Sequence, residues 1–482
     1  MAEKKKQQAQ AGKSEGAETC DLLVRHGHVL TMDAKRTVYP DGAVAITGTR
    51  IVAVGPTAKI TARFKARRVI DAGGAPVHPG FVDGHIHAGL HLSRGSMTDN
   101  PNPPPGSGGG GPGSFTRWTN ALTDEDEYAS ALMASVELVK NGFTGYVEAA
   151  TAFSPDMIAE AAEAVGIRVS VTDCMLWDVL GGEPSANDFP RAPCDAKRAR
   201  KLLGEQVKRR RNADGLVRAH VALYGIGSGS MELMQEAKRL ADENKTVFHQ
   251  HQNFMADDAA YDRKRFGRAP LVHLADEGVL GPNTVFTHMN VLDDAEVDAV
   301  ADSGMALVWH PGNFVYYAVA QQARNRFPEL HRRGNAIAFG TDVAKVWAFG
   351  DLGFIGYLVS REWGDFVPSE GLLEMFTLGG ARAIGMEDEV GSLEAGKRAD
   401  LVIRSNDLPD AQPNVNVVKQ LMLVSRTKSV DTVICNGDVV LRHGSLTNLD
   451  EKAVYALARE SARSIGERTN VKPHSPWPSV VE

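Results

Sequence analysis

Residues 80–87 read Gly80-Phe81-Val82-Asp83-Gly84-His85-Ile86-His87, and far downstream residues 340–342 read Gly340-Thr341-Asp342. Side chains two apart on an extended strand share one face, so His85 and His87 can present both imidazoles to a single cation. A His-x-His pair alone carries little weight. It gains weight from later residues that each close a short apolar run: His249 or His251, then His288, then Asp342.

Outward from this stretch, strand and helix signals alternate. Thr123-x-x-Asp126 reads as a capping box opening a helix that carries Tyr128, Leu132, Val136 and Val139 and stops at Gly142. Strands are expected over 144–148, 167–172, 217–223, 246–250, 284–288, 305–309 and 336–341, separated by helices such as 231–243 and 295–303. With the strand feeding His85 these make eight, the repeat of an α/β fold of the (β/α)8 TIM-barrel type, whose reactive groups stand at the C-terminal strand ends. The candidates fall at those ends: His85 and His87 on strand one, His249 on strand five, His288 on strand six and Asp342 on strand eight.

The flanks differ in texture. Residues 20–76 and 389–450 read as short strands with turns, including the hairpin signal Asn436-Gly437-Asp438. One piece precedes the barrel (77–388) and the other follows it, so they are expected to pair into a small composite β-sandwich domain built from both chain ends. Residues 1–19 are expected to be a disordered tail, and 451–482 a C-terminal helix and tail.

Composition excludes several classes. A formal net charge of −7 over 482 residues argues against a nucleic-acid partner. The four cysteines, Cys20, Cys174, Cys194 and Cys435, are scattered without a CxxC pair, which suits reduced thiols in a cytoplasmic protein. The basic start has no apolar stretch behind it, and no uncharged apolar run reaches the ~18 residues that span a bilayer, so neither signal peptide nor membrane partner is expected.

The run from Val77 to His87, together with Gly391-Ser392-Leu393-Glu394-Ala395-Gly396-Lys397-Arg398-Ala399-Asp400-Leu401-Val402 and Thr432-Val433-Ile434-Cys435-Asn436-Gly437, closely resembles the amidohydrolase superfamily. Within it the chain resembles the branch of cytosine and guanine deaminases and triazine hydrolases. The resemblance implies metal-assisted hydrolysis of a small molecule in a barrel with a composite β-domain, commonly as a homo-oligomer. It makes His85, His87, a strand-five histidine and Asp342 the ligands of one divalent ion. Zinc suits this mixed ligation best, with iron, cobalt or manganese as alternatives. Asp342 then also takes a proton from water, and His288 polarises the group under attack. For strand five, His249 is preferred over His251 because it directly follows the apolar Val247-Phe248.

One departure bears on the reaction. Deaminase relatives carry a glutamate three residues after the strand-five ligand, where it protonates the leaving group. Here that position is Gln252 if His249 is the ligand, or Phe254 if His251 is, and neither can shuttle a proton. The expectation is therefore hydrolysis of an amide, urea or (thio)carbamate-like bond. The substitution is similar to that in phenylurea and thiocarbamate hydrolases of the same superfamily. Deamination or dehalogenation of a nitrogen heterocycle is the alternative, and a non-catalytic barrel homologue the last.

Several residues remain as candidate substrate contacts. The Pro/Gly-rich segment 99–114 reads as a lid or rim on the first loop. Phe115 and Trp118 beside it, with Trp309, Phe314, Tyr316 and Tyr317 after strand seven, could line an apolar pocket or pack the wall. His310-Pro311-Gly312-Asn313 resembles a shortened form of the family's turn after strand seven, placing His310 and Asn313 near substrate with Gln252. Lys345 could orient a carbonyl or be solvated, and His220 is expected to pack within the barrel. The basic run 197–211 reads as the wet face of an outer helix.

Overall fold

The computed structural model describes residues 17–96, 114–180, 189–210, 215–343, 347–425 and 427–471. Five strands come first: β1 (Glu18–Leu30), β2 (Val38–Thr47), β3 (Arg50–Pro56), β4 (Phe64–Asp71) and β5 (Pro76–Pro79). The barrel follows with β6 (Phe81–Ile86), β7 (Phe143–Glu148), β8 (Arg168–Val171), β9 (Val217–Ala219) running into β10 (Val221–Gly225), β11 (Phe248–Gln252), β12 (Thr284–His288), β13 (Ala306–Trp309) and β14 (Ile337–Phe339). Four more complete the chain: β15 (Leu401–Arg404), β16 (Val430–Cys435), β17 (Asp438–Arg442) and β18 (Ser445–Leu446).

Parallel pairing links β6 to β9 in one run and β10 to β14 in another. Only His220 separates β9 from β10, so these two segments act as the fourth strand. Closure comes at the far seam, where the Asp342 N–H donates to the His85 carbonyl at 2.9 Å and Ile86 pairs with Asp342 in a parallel bridge. The barrel interior is close-packed at this seam. A Cβ on Gly84 would stand 2.8 Å from the Ala338 Cβ, so only glycine lets β6 and β14 approach.

Local signals explain the helices. Thr123 caps the helix Asp124–Lys140 in a reciprocal box with Asp126, and Ser230 and Asp293 cap Met231–Glu243 and Asp294–Ser303. The basic run 197–211 is not one helix. It breaks into Ala196–Leu202 and Glu205–Arg209 at Gly204, which takes a left-handed φ of 78°.

Strands from both chain ends form one continuous sheet, nine-stranded among the described residues, with β5 pairing antiparallel to β15 and β1 forking between β2 on one edge and β4 and β5 on the other. Its apolar side chains fill separate clusters on opposite faces, Leu22 and Val24 on one and Leu23 on the other, as a two-residue period demands. The sheet grips the barrel through a buried ion pair. Asp400 accepts from Arg168 Nε at 2.7 Å and Nη2 at 2.9 Å, and Arg168 also donates to Asn436. The late sequence motif around Asp400 and Asn436 is thus a fastening for the barrel. The C-terminal helix Glu451–Thr469 packs on Asp124–Lys140, with Ser461 donating to Asp126 at 2.6 Å. Among the described residues no helix is long and apolar enough to cross a membrane.

Candidate metal centre

Residues that leave the strands at one mouth of the barrel adopt left-handed backbone although they are not glycine: Ala150 after β7, Met175 after β8, Ile226 after β10, Asn253 after β11, His288 ending β12, and Asp342 after β14, with φ between 42° and 69°. Each such residue costs on the order of 1–3 kcal/mol and persists only where its surroundings enforce it. This mouth is where the titratable side chains converge.

His85, His87 and His251 are all buried, and each offers a nitrogen within 4.8 Å of the others'. His85 Nε2 and His87 Nε2 lie 3.3 Å apart, and His87 Nε2 lies 2.8 Å from Asp342 Oδ1. His251 Nδ1 donates to the Tyr224 carbonyl at 2.7 Å, which leaves its Nε2 lone pair free toward the centre. Burial, then the neighbouring imidazole of His251, holds His85 well below the ordinary histidine range, and burial with His87 holds His251 down to about 3. Three imidazoles gathered beside a carboxylate form a donor set that fits one divalent cation.

Strand five corrects the expectation for His249. The strand runs two residues further than its pattern suggested, over Phe248–Gln252, so His249 lies one layer deeper than His251 on the same face. His249 Nε2 donates to the Ala383 carbonyl at 2.8 Å, away from the cluster. Its Nδ1 and the Nε2 of His220 are buried without a hydrogen-bond partner, beside a chamber of about 10 Å³ lined also by His85, Glu148 and His251.

Gln252 is corrected too. It faces away from the centre, donating to Asn253 at 2.8 Å and Asp262 at 3.1 Å and accepting from Gln250. The residue three beyond His251 is Phe254, whose ring lies over His288 with centroids 4.3 Å apart and meets Tyr317 edge-on at 5.3 Å. His288 Nδ1 is buried and has no protein partner. Burial, then His310, keeps His288 well below the usual histidine value.

The remaining candidates divide. Asn313 donates to Asp342 Oδ2, so it orients the carboxylate. His310 spans β12 to β14, with Nδ1 donating to the Gly340 carbonyl at 2.8 Å and Nε2 bonded to the Thr287 hydroxyl; its ring stands 5.1 Å from His85 and 4.9 Å from His288. Both His310 nitrogens are held by protein, so its ring is braced between Thr287 and Gly340. Trp309 is turned outward, stacked on Phe327 at 5.2 Å and Phe339 at 5.6 Å, and Trp118 is buried with Leu90, Leu122 and Ile465; both pack walls. Phe115 lies in the helix Ser114–Asn120, but its side chain, Lys345 and most of the loop 99–114 fall outside the described residues.

The sequence did not announce the supports. Asp83 accepts from the backbone of His85 at 2.9 Å and Thr341 at 3.2 Å, tying the first strand to the last, and burial lifts its carboxyl to about 7. Thr151 Oγ1 sits 2.6 Å from His87 Nδ1. Asp83 could have been noticed inside the opening motif; Thr151 carried no signal.

An eight-stranded barrel with three histidines and an aspartate at its mouth defines a metal-dependent hydrolase. The amidohydrolase family model matches residues 77–440, and a bacterial imidazolonepropionase-like composite domain matches residues 42–64. The chain belongs to the amidohydrolase family and is a hydrolase of carbon–nitrogen bonds other than peptide bonds. It is similar to a 5-methylthioadenosine/S-adenosylhomocysteine deaminase of Syntrophobacter fumaroxidans, 28% identical with 93% of this chain and 99% of the relative covered. A 5'-deoxyadenosine deaminase of Methanothermobacter thermautotrophicus is 29% identical over 88% of this chain and 95% of its own. Among solved structures, a zinc-bound adenosine deaminase from Xanthomonas campestris matches with a TM-score of 0.82 and 26% identity, covering 94% of this chain and all of its own (100%). An atrazine chlorohydrolase from Arthrobacter aurescens shares the fold, with a TM-score of 0.79 at 20% identity over 92% of this chain and 100% of its own.

Proposed function

We propose that this enzyme uses one zinc ion to hydrolyse an amino group from a nitrogen heterocycle, with an adenine-type nucleoside as the leading substrate class. The reading rests on the convergence of His85, His87 and His251 beside Asp342, and the full-length similarity to nucleoside deaminases supports the substrate. It reverses the order of preference drawn from the sequence, which put an acyl-type bond first.

His85, His87 and His251 hold the ion, with Asp342 beside His87. When bound, such an ion brings the pKa of water toward ~7 and so makes a nucleophile available at neutral pH. Asp342 accepts the proton of the attacking water, and Asn313 keeps its carboxylate aimed. The partnerless Nδ1 of His288 hydrogen-bonds the ring atom next to the carbon under attack. The proton held by Asp342 then leaves with ammonia, so the overall reaction consumes one water and releases one ammonia. A homo-oligomeric state belongs to the same proposal and is measurable by light scattering.

Phe254 supports a second reading. With an aromatic ring over His288 where a carboxylic acid would stand, the site suits acyl carbons, whose amine departs on a proton from Asp342 alone. The two readings separate in one experiment. Zinc-loaded enzyme is given 5-methylthioadenosine, 5'-deoxyadenosine, a phenylurea and a carbamate, and ammonia, amine and carbon dioxide are assayed separately. Ammonia from the nucleosides supports deamination; amine and carbon dioxide from the urea or carbamate, with no ammonia from the nucleosides, overturn it in favour of acyl hydrolysis.

A further inference from the structure

The three histidines of the centre are oriented by different means. His251 is fixed by a backbone carbonyl, and the backbone N–H of His85 is fixed by Asp83. His87 is held by a side-chain hydroxyl, since its Nδ1 meets Thr151 Oγ1 at 2.6 Å. For His87 Nε2 to offer a lone pair to a cation, the ring proton must sit on Nδ1, and Thr151 Oγ1 is the atom that accepts it.

Thr151 is held in turn by an unusual turn. Glu148, the last residue of β7, folds its carboxylate back over the next residues, accepting from Ala150 N at 2.9 Å, Thr151 N at 3.3 Å and Ala152 N at 3.2 Å. Three successive N–H groups converging on one carboxylate enforce the left-handed φ of 62° at Ala150, and the Ala149 N–H donates to the Ile86 carbonyl at 3.1 Å. The turn is thereby stitched to the strand that carries His85 and leads into His87. Glu148 and Thr151 are both almost fully buried, at 1% and 3% exposure, so water does not compete for these bonds. Glu127 secures the following residues in the same way, accepting from Phe153 N at 2.8 Å and Ser154 N at 2.7 Å.

We infer that Thr151 is a positioning residue for the metal ligand His87, and that the Glu148 turn sets Thr151 in place. The inference rests on the metal-centre reading but not on any choice of substrate. Hydroxyl and carboxylate partners behind a metal ligand typically govern ~10–100-fold in metal affinity.

The test measures zinc itself. Apo protein is titrated with zinc against a competing chelator for wild type, Thr151→Ser, Thr151→Val and Glu148→Gln, with circular dichroism confirming the fold of each. Thr151→Val, which keeps the shape but loses the hydroxyl, is expected to bind zinc ~10–100-fold more weakly. Thr151→Ser is expected to stay within about threefold of wild type, because the hydroxyl alone does the positioning. Glu148→Gln replaces one acceptor oxygen with an N–H2 facing backbone donors and is expected to weaken zinc in the same direction. At saturating zinc, kcat of the valine variant should return toward that of the serine variant. Wild-type affinity in folded Thr151→Val overturns the inference, as does a serine variant as weak as valine, which would mark the methyl group as the important part. Should the valine variant fail to fold, the serine variant and Glu148→Gln decide. Loss of zinc binding by the wild type itself would instead sink the metal-centre reading.

Discussion

The chain contains two His-x-His pairs on barrel strands, and they behave differently. At His85–His87 both imidazoles reach one point; at His249–His251 only the second does. The cause is where each strand ends. β6 stops at Ile86, so the chain turns at His87 (φ −84°, ψ 74°) and folds its ring back until the two Nε2 atoms are 3.3 Å apart. β11 continues through both histidines to Gln252, so they stand two residues apart along a straight strand, ~6.6 Å at the usual rise. His249 is left in the layer below, serving Ala383. A ligand pair is made by a strand end falling between its members, not by spacing alone.

Four measurements break or sharpen this contrast. The largest effect belongs to His251→Ala, which should lose bound zinc and lower turnover by at least ~10³-fold, while His249→Ala keeps its metal and loses only ~1–3 kcal/mol of stability from an unmatched carbonyl. Metal analysis by mass spectrometry decides, and equal metal contents would erase the distinction. Next, Asp342→Asn should fold normally, read by circular dichroism, and lose ~10²–10⁴ in kcat, the scale of a missing general base. Phe254→Glu places an acid over His288 and should raise ammonia release relative to amine release by about tenfold, a gain of ~1.4 kcal/mol in the deamination transition state; an unchanged ratio would falsify the role given to that position.

The smallest effect is on pH dependence. Burial lowers His249 from 6.5 to about 4, so the unfolded chain binds a proton there that the folded protein refuses. Stability tied to neutral His249 is complete above pH 6.5 and is lost as pH falls toward 4. In the apo protein, His249→Gln should remove that part of the slope, so the wild-type advantage in Tm shrinks between pH 7 and pH 4.5.

Most of the architecture was legible because it is periodic. The strand–helix alternation, the cap at Thr123 and the pairing of the chain ends follow from local patterns that tertiary packing did not override. The candidate site was legible where His85, His87 and Asp342 come together at strand ends fixed by the opening motif and by Gly340-Thr341-Asp342. It failed where one or two residues of strand length changed the answer. Ending β11 at Gln250 hid the depth of His249 and the outward aim of Gln252. Trp309 erred by face: Val308 points into the barrel with Val285 and Ala338, so its neighbour must point out to the helices. Thr151 was invisible because its role comes from a carboxylate-bound turn, which leaves no repeating trace in the chain.

The barrel seam carries one more consequence. The backbone bond from Asp342 to His85 and the bridge from Asp342 to Ile86 join the first and last staves of the cylinder, and the same residues flank the ion site. A cation there would act as a buckle: once the final stave has found the first, Asp342 stands beside the histidines of strands one and five and completes the grip. Nascent chains lacking Asp342 should therefore gain less protection from zinc than the full chain, and the finished enzyme should carry its cofactor as a lock against unzipping as well as a tool.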